Sequence, residues 1–156
     1  MAAQVVAKYH AHTYVYTRNL MKDLKQKSYV LLAISGSPSE LVGVFAKVYG
    51  FDDFVASEYV VDESGAYTGE VVESHHNKDQ ILKKLVQKHG LNYQDSVAIG
   101  DSRGDISLLA AAERAIAFNP DVNLLEAAKD NAWKIVVERK SIAYELEEQD
   151  GRYLLA

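Results

Sequence analysis

Val97-Ala-Ile-Gly-Asp-Ser-Arg-Gly-Asp105 is the stretch on which the reading of this chain turns. Val97-Ala-Ile99 is a short apolar run with no alternation, the pattern of a buried strand in a parallel sheet. It runs into Gly100-Asp101. Ser102-Arg-Gly-Asp105 then gives a helix start of the capping-box kind, with Ile106, Leu108 and Leu109 on the helix that follows. In open α/β sheets, ligands bind beyond the carboxyl ends of the strands. Asp101 and Asp105 stand there four residues apart, so both carboxylates can point one way. Two hard oxygen anions suit Mg²⁺, which takes few carboxylates and completes its shell with water and phosphate. Helix capping alone also accounts for Ser102 and Asp105.

Upstream, Tyr29-Val-Leu-Leu-Ala-Ile-Ser35 is a second near-continuous apolar run and reads as a strand buried on both faces. Gly36 breaks it. Ser37-Pro38-Ser39-Glu40 reads as a helix start, with Ser37 as N-cap and Pro38 at the first helical position. Leu41, Phe45 and Val48 form the apolar stripe of that helix, and Gly50 ends it. The hydroxyls and N–H groups of Ser35-Gly36-Ser37 therefore lie at a helix N-terminus, a ready anion site. Phe54–Ala56 reads as a short strand. Glu58–Val61 and Tyr67–Val72 flank Asp62-Glu-Ser-Gly-Ala66 as a hairpin. Lys78 opens a helix that carries Ile81, Leu82, Leu85 and Val86. A Lys there can neutralise a phosphoryl oxygen, although in a first helical turn it is more commonly a solvated charge. His75-His76 lacks further ligand candidates nearby and reads as a solvated loop.

Val6, Tyr9, Thr13, Tyr16, Leu20 and Leu24 recur at three- and four-residue steps, which predicts one long first helix over roughly 4–27. Thr13-Tyr-Val-Tyr-Thr17 within it has strand propensity. Downstream, Ala115–Phe118 is a strand, Asn119-Pro120-Asp121 a turn and helix start, Leu124–Ala128 a helix and Trp133–Val137 a last strand. The polar segment 140–156 reads as a loosely packed helix, within a peripheral tail over 138–156. Strands alternating with helices give βαβ units, a mostly parallel sheet covered on both faces, and a single domain over 1–156.

Composition narrows the function. The chain has 156 residues, 48% apolar and 25% charged, with a formal net charge of −5. That excludes the basic footprint of a nucleic-acid binder. No apolar run reaches the roughly 18 residues of a membrane span, and no polybasic cluster suits a membrane surface. Cysteine is absent, so disulfides and thiolate metal sites are excluded. A cytoplasmic protein is the expectation. No Gly-x-Gly-x-x-Gly follows a strand, which argues against a dinucleotide-binding domain.

Taken in order, these pieces resemble the haloacid dehalogenase (HAD) superfamily, in its phosphoserine-phosphatase-like branch. Ile34-Ser35-Gly36-Ser37-Pro38 resembles the second motif, Lys78 with its helix the third, and Gly100-Asp-Ser-Arg-Gly-Asp-Ile-Ser-Leu-Leu109 the fourth. Ala117-Phe-Asn-Pro-Asp121 and the Gly65 hairpin with Thr68-Gly69 also look familial. The resemblance covers about residues 10–138. It implies a three-layer α/β/α Rossmann-like core and a Mg²⁺-dependent hydrolase of small phosphomonoesters. It further implies that Ser35 and Gly36 bind the phosphoryl group, that Lys78 stabilises its oxygens, and that Asp101 and Asp105 hold Mg²⁺ directly or through water.

One departure is large. The first motif, Asp-x-Asp, provides the carboxylate that attacks phosphorus and the one that protonates the leaving oxygen. Here the first acidic residue is Asp23, and no Asp-x-Asp precedes Ser35. The first, central strand and most of the cap are therefore expected to be missing, and the chain to be a truncated, impaired form of the enzyme. The strands beside the missing one must pair directly, leave a gap, or borrow a strand, which would make a homodimer by strand exchange. Gly104 is a smaller departure, at a position where the branch often has Asn. The alternative is a non-catalytic phosphate- or metal-binding or assembly module that needs a partner's strand.

Overall fold

The computed structural model describes Gln4, Val6 and residues 13–72, 78–139 and 142–155. The chain divides into two compact units, Met1–Ile81 and Leu82–Ala156. Among the described residues the strands form two sheets, one of three strands and one of five.

In the first unit Gln4 and Val6 are helical, and α1 spans Val15–Gln26. The expected long first helix is not continuous: Thr13 and Tyr14 are not helical, and Tyr14 has an extended ψ of 137°. The strand-favouring residues there outweigh the helical spacing, and Thr13 Oγ1 bonds Tyr49 Oη at 2.8 Å. Ser28, at φ 61°, ends the helix. Leu31 is then clamped to the next strand: its N–H donates to Asp52 Oδ2 at 2.7 Å, and its carbonyl accepts the Asp52 N–H at 2.8 Å. β1 (Leu32–Pro38) follows, pairing in parallel with β2 (Asp53–Val61). α2 (Ser39–Tyr49) crosses between them and packs on both. Gly43 on α2 lets the Phe54 ring approach, for a Cβ there would lie 3.1 Å from Phe54 Cζ.

Three further expectations in this unit need correction. β1 is half-buried rather than buried on both faces, because it is an edge strand of its sheet. The helix starts one residue later than the sequence suggested. Pro38 keeps an extended ψ of 137° and still pairs with Ser57, so no side chain caps α2 and the Ser37–Glu40 capping box does not form. Finally, Phe54–Ala56 and Glu58–Val61 are one strand. β2 pairs with β1 in its first half and antiparallel with β3 (Tyr67–Val72) in its second. The hairpin itself is as expected. Its turn is wound on Asp62 Oδ1, which accepts Ser64 N–H at 2.8 Å, Ser64 Oγ–H at 2.6 Å and Ala66 N–H at 3.0 Å. His75-His76 lies outside the described residues.

α3 (Lys78–Lys88) contains the division between the units. The second unit then runs β4 (Val97–Gly100), a 3-10 turn (Arg103–Asp105), α4 (Ile106–Ala111), β5 (Arg114–Phe118), α5 (Val122–Asp130) and β6 (Lys134–Arg139). β4, β5 and β6 are parallel neighbours. Their core gathers Ala98, Ala117, Ile135, Leu109 from α4 and Leu124 and Ala128 from α5.

The tail is the clearest correction. It is not a loosely packed helix but two strands, β7 (Ile142–Gln149) and β8 (Arg152–Leu155), antiparallel to β6 and to each other. Ile142, Tyr144 and Leu146 alternate with other residues at the strand period of two, and Asp150-Gly151 forms the two-residue turn at φ 51° and 77°. Lys134 on β6 pairs with both Glu145 and Glu147. Tyr153 donates its hydroxyl to the Ala128 carbonyl at 2.7 Å and the Trp133 carbonyl at 3.0 Å.

Candidate active site

The Asp101 loop is built by the side chain of Asp105. The carboxylate oxygen Oδ2 of Asp105 accepts the Asp101 N–H, the Ser102 N–H and the Ser102 hydroxyl, each at 3.1 Å. The Ser102 N–H bond is one half of the expected capping box, and the Asp105 N–H donates to the Ser102 carbonyl at 2.9 Å. Asp105 is buried, with 7% of its surface exposed. A charged acceptor with three donors offsets the desolvation that burial imposes. Gly100 is required for this arrangement. A Cβ there would meet Asp105 Cβ at 2.4 Å, Cγ at 2.6 Å and Oδ2 at 2.8 Å.

The two carboxylates are thus unlike. Asp105 is turned into the loop that it organises, whereas the exposed Asp101 carboxylate has no hydrogen-bond partner among the described residues. An open carboxylate beside one held by backbone N–H groups suits a hard cation that takes few protein oxygens. No group of three or more His, Cys, Asp or Glu side chains that could hold a metal ion occurs among the described residues.

A third carboxylate, whose role the sequence left undefined, closes the loop from the other side. Asp121 N–H donates to the Asp101 carbonyl at 2.9 Å. Asp121 Oδ1 accepts the Leu124 N–H at 2.8 Å and caps α5, while Oδ2 accepts the Arg103 N–H at 2.9 Å. The Leu124 and Arg103 N–H groups, in that order, hold its carboxyl below the usual carboxylate range. Asn119, at φ 44°, aims the chain into this turn: its N–H donates to the Val136 carbonyl, and its Oδ1 accepts the Glu138 N–H at 2.9 Å. A turn and helix start was legible in Asn119-Pro120-Asp121. The bond of Asp121 to Arg103, 18 residues away, had no sequence signal.

The remaining candidates lie in the first unit. Ser35 is half-buried near the end of β1, and Gly36 and Ser37 are exposed. Ser35 Oγ accepts the Ser37 N–H at 3.1 Å, where the register of β1 against β2 shifts between Ser35 and Pro38. Lys78 is the first residue of α3 and half-buried. Hydrogen bonds join Asp101 directly to Asp105, and Ser35 and Gly36 are chain neighbours. Lys78 stands on a separate element.

The model of the haloacid dehalogenase-like hydrolases matches residues 1–110. The chain belongs to that family. Within it, this HAD chain is 35% identical over 101 residues to a phosphoserine phosphatase of Methanocaldococcus jannaschii, covering 63% of itself and 47% of that relative. A phosphoserine phosphatase of Streptomyces coelicolor is 31% identical over 114 residues, 71% of this chain and 28% of the relative. Among solved structures, a phospho-aspartyl intermediate analogue of phosphoserine phosphatase matches with a TM-score of 0.66 at 31% identity, over 79% of this chain and 57% of that one. The α/β, Rossmann-type architecture and the phosphoserine-phosphatase-like branch expected from the motifs are those of these neighbours. The HAD chain spans less than half the length of these two curated relatives. No helix among its described residues is long and apolar enough to cross a membrane.

Proposed function

We propose that this HAD chain is the phosphate- and cation-binding core of a Mg²⁺-dependent phosphomonoester hydrolase acting on small molecules. The observation that carries the reading is the pair of unlike carboxylates at the end of β4: Asp105 holds the loop, and Asp101 presents an open carboxylate. Asp101 is the direct cation ligand, and Asp105 holds it indirectly or through water. When bound, Mg²⁺ supplies positive charge against the phosphoryl oxygens. Ser35, with the N–H groups after it, orients the phosphoryl group, and Lys78 offsets its charge as an ammonium. The absence of cysteine fits a cytoplasmic setting, which belongs to the same proposal.

Hydrolysis in this reading needs an attacking carboxylate, and no Asp-x-Asp stands ahead of Ser35 in residues 1–156. The 156-residue polypeptide by itself is therefore expected to turn over an aryl phosphate poorly or not at all in the presence of Mg²⁺. Robust turnover that Asp101→Ala abolishes would overturn the account of the missing nucleophile while keeping the site.

A second reading is a non-catalytic phosphate-binding or assembly module, and the strand edges favour it. β1 and β4 are each an edge of their sheets among the described residues, and an unpaired edge accepts another strand. A homodimer formed by strand exchange belongs to this reading. Light scattering that finds only monomer across a hundredfold range of protein concentration would remove it.

A further inference from the structure

Asp121 makes more bonds than a helix cap requires. Capping needs one side-chain oxygen, and Asp121 Oδ1 serves Leu124 in that role. The second oxygen, Oδ2, accepts the Arg103 N–H at 2.9 Å, and the Asp121 N–H donates to the Asp101 carbonyl at 2.9 Å. Two bonds therefore tie the start of α5 to both sides of Ser102. The Asp101 side chain has no partner among the described residues, so the backbone of 100–103 sets where its carboxylate points. Asp105 holds that backbone from within through Asp101 and Ser102. It makes no bond to the Arg103 N–H, and Asp121 supplies the acceptor there.

We propose that Asp121 is a positioning residue: its carboxylate, shared between the Leu124 and Arg103 N–H groups, fixes the loop that aims Asp101 at a divalent cation. The inference rests on the reading of Asp101 as a cation ligand. It assigns Asp121 a role that neither a cap nor a ligand explains, since one of its oxygens is spent on each N–H group. A residue that holds a ligand's backbone acts on affinity through geometry, as hydrogen-bond partners of metal ligands do.

The side-chain chemistry allows the two bonds to be separated. Asn and Ser are both good N-caps but offer one acceptor oxygen each. Asp121→Asn and Asp121→Ser therefore keep the Leu124 bond and leave Arg103 N–H without its acceptor. The experiment is a Mn²⁺ titration of the ¹⁵N-labelled 156-residue chain, reading paramagnetic broadening of the Asp101 and Ser102 amides, with amide hydrogen exchange in parallel. In the unaltered chain, Mn²⁺ broadens these amides and Asp101→Asn removes the effect. In Asp121→Asn, apparent Mn²⁺ affinity falls about tenfold. Exchange at Arg103 quickens, and protection at Leu124 stays. Asp121→Ser gives the same result and serves if the Asn variant folds poorly. A variant that keeps Leu124 protection and binds Mn²⁺ as the unaltered chain does overturns the inference and leaves the cation site standing. Absence of Asp101-dependent broadening in the unaltered chain overturns the cation reading and the inference together.

Discussion

At the scale of single residues, the loop after β4 depends on one missing methyl group. Gly100 has no Cβ, and the space that one would take is filled by Asp105 Cβ, Cγ and Oδ2, all closer than 3.0 Å. Asp105 cannot withdraw without abandoning three donors. Gly100→Ala should therefore destabilise the chain by about 1–3 kcal/mol, the usual cost of overpacking a closed site. Urea unfolding measures it. A change below about 0.5 kcal/mol, the range of an ordinary surface substitution, would show that Asp105 is free to move aside.

At the scale of elements, single side chains fasten the β2–β3 turn and strand β8 in addition to their ladders. In the β2–β3 turn, the Ser64 hydroxyl first, then the Ala66 and Ser64 N–H groups, lower the pKa of Asp62 below its ordinary 3.8. The folded turn prefers the ionised form, so the unfolded chain binds more protons in this range and stability rises with pH. The contribution of Asp62 is full above 3.8 and is lost as pH falls through the lower folded value. Amide exchange at Ser64 and Ala66, normalised for intrinsic rate, should show protection falling only below that pH. In Asp62→Asn that step should vanish, and its persistence would assign it to another group. In the tail, Tyr153→Phe removes the hydroxyl that reaches the Ala128 and Trp133 carbonyls. The Ala128 carbonyl keeps the Trp133 N–H, so the loss should be about 1 kcal/mol, one net hydrogen bond. Thermal unfolding tests this, and an unchanged midpoint would mean that β8 is held by its ladder alone.

At the scale of the whole molecule, the proposed cation site is short of side-chain ligands among the described residues. Asp101 offers one open carboxylate, and no third metal-ligating side chain joins the group among the described residues. Mg²⁺ demands six near-ideal oxygens and gives up water reluctantly. Titration calorimetry on the 156-residue chain should find millimolar rather than micromolar affinity for Mg²⁺. Micromolar binding would mean that further ligands converge on Asp101. Added inorganic phosphate should tighten binding, because its oxygens complete the shell.

The sequence by itself determined the family and most of the elements. Apolar runs at Leu31–Ile34 and Val97–Ile99 signal strands by local pattern alone, and Lys78 and Ser102 sit at helix starts that local chemistry signals. The motifs at Ser35, Lys78 and Asp101 were legible for the same reason: each combines a strand end or helix start with one chemical group. What escaped was set by partners far along the chain. Segment 140–156 looked polar and helical because its glutamates are charged, yet β6 offers a ladder and Lys134 pairs with two of those glutamates. Pro38 stayed extended because Ser57, on another strand, holds it there. The unlike fates of Asp101 and Asp105 were decided by loop geometry, as was the second bond of Asp121. Spacing puts carboxylates on one side of a turn, but only the folded backbone selects which oxygen meets an N–H group and which stays open to a cation.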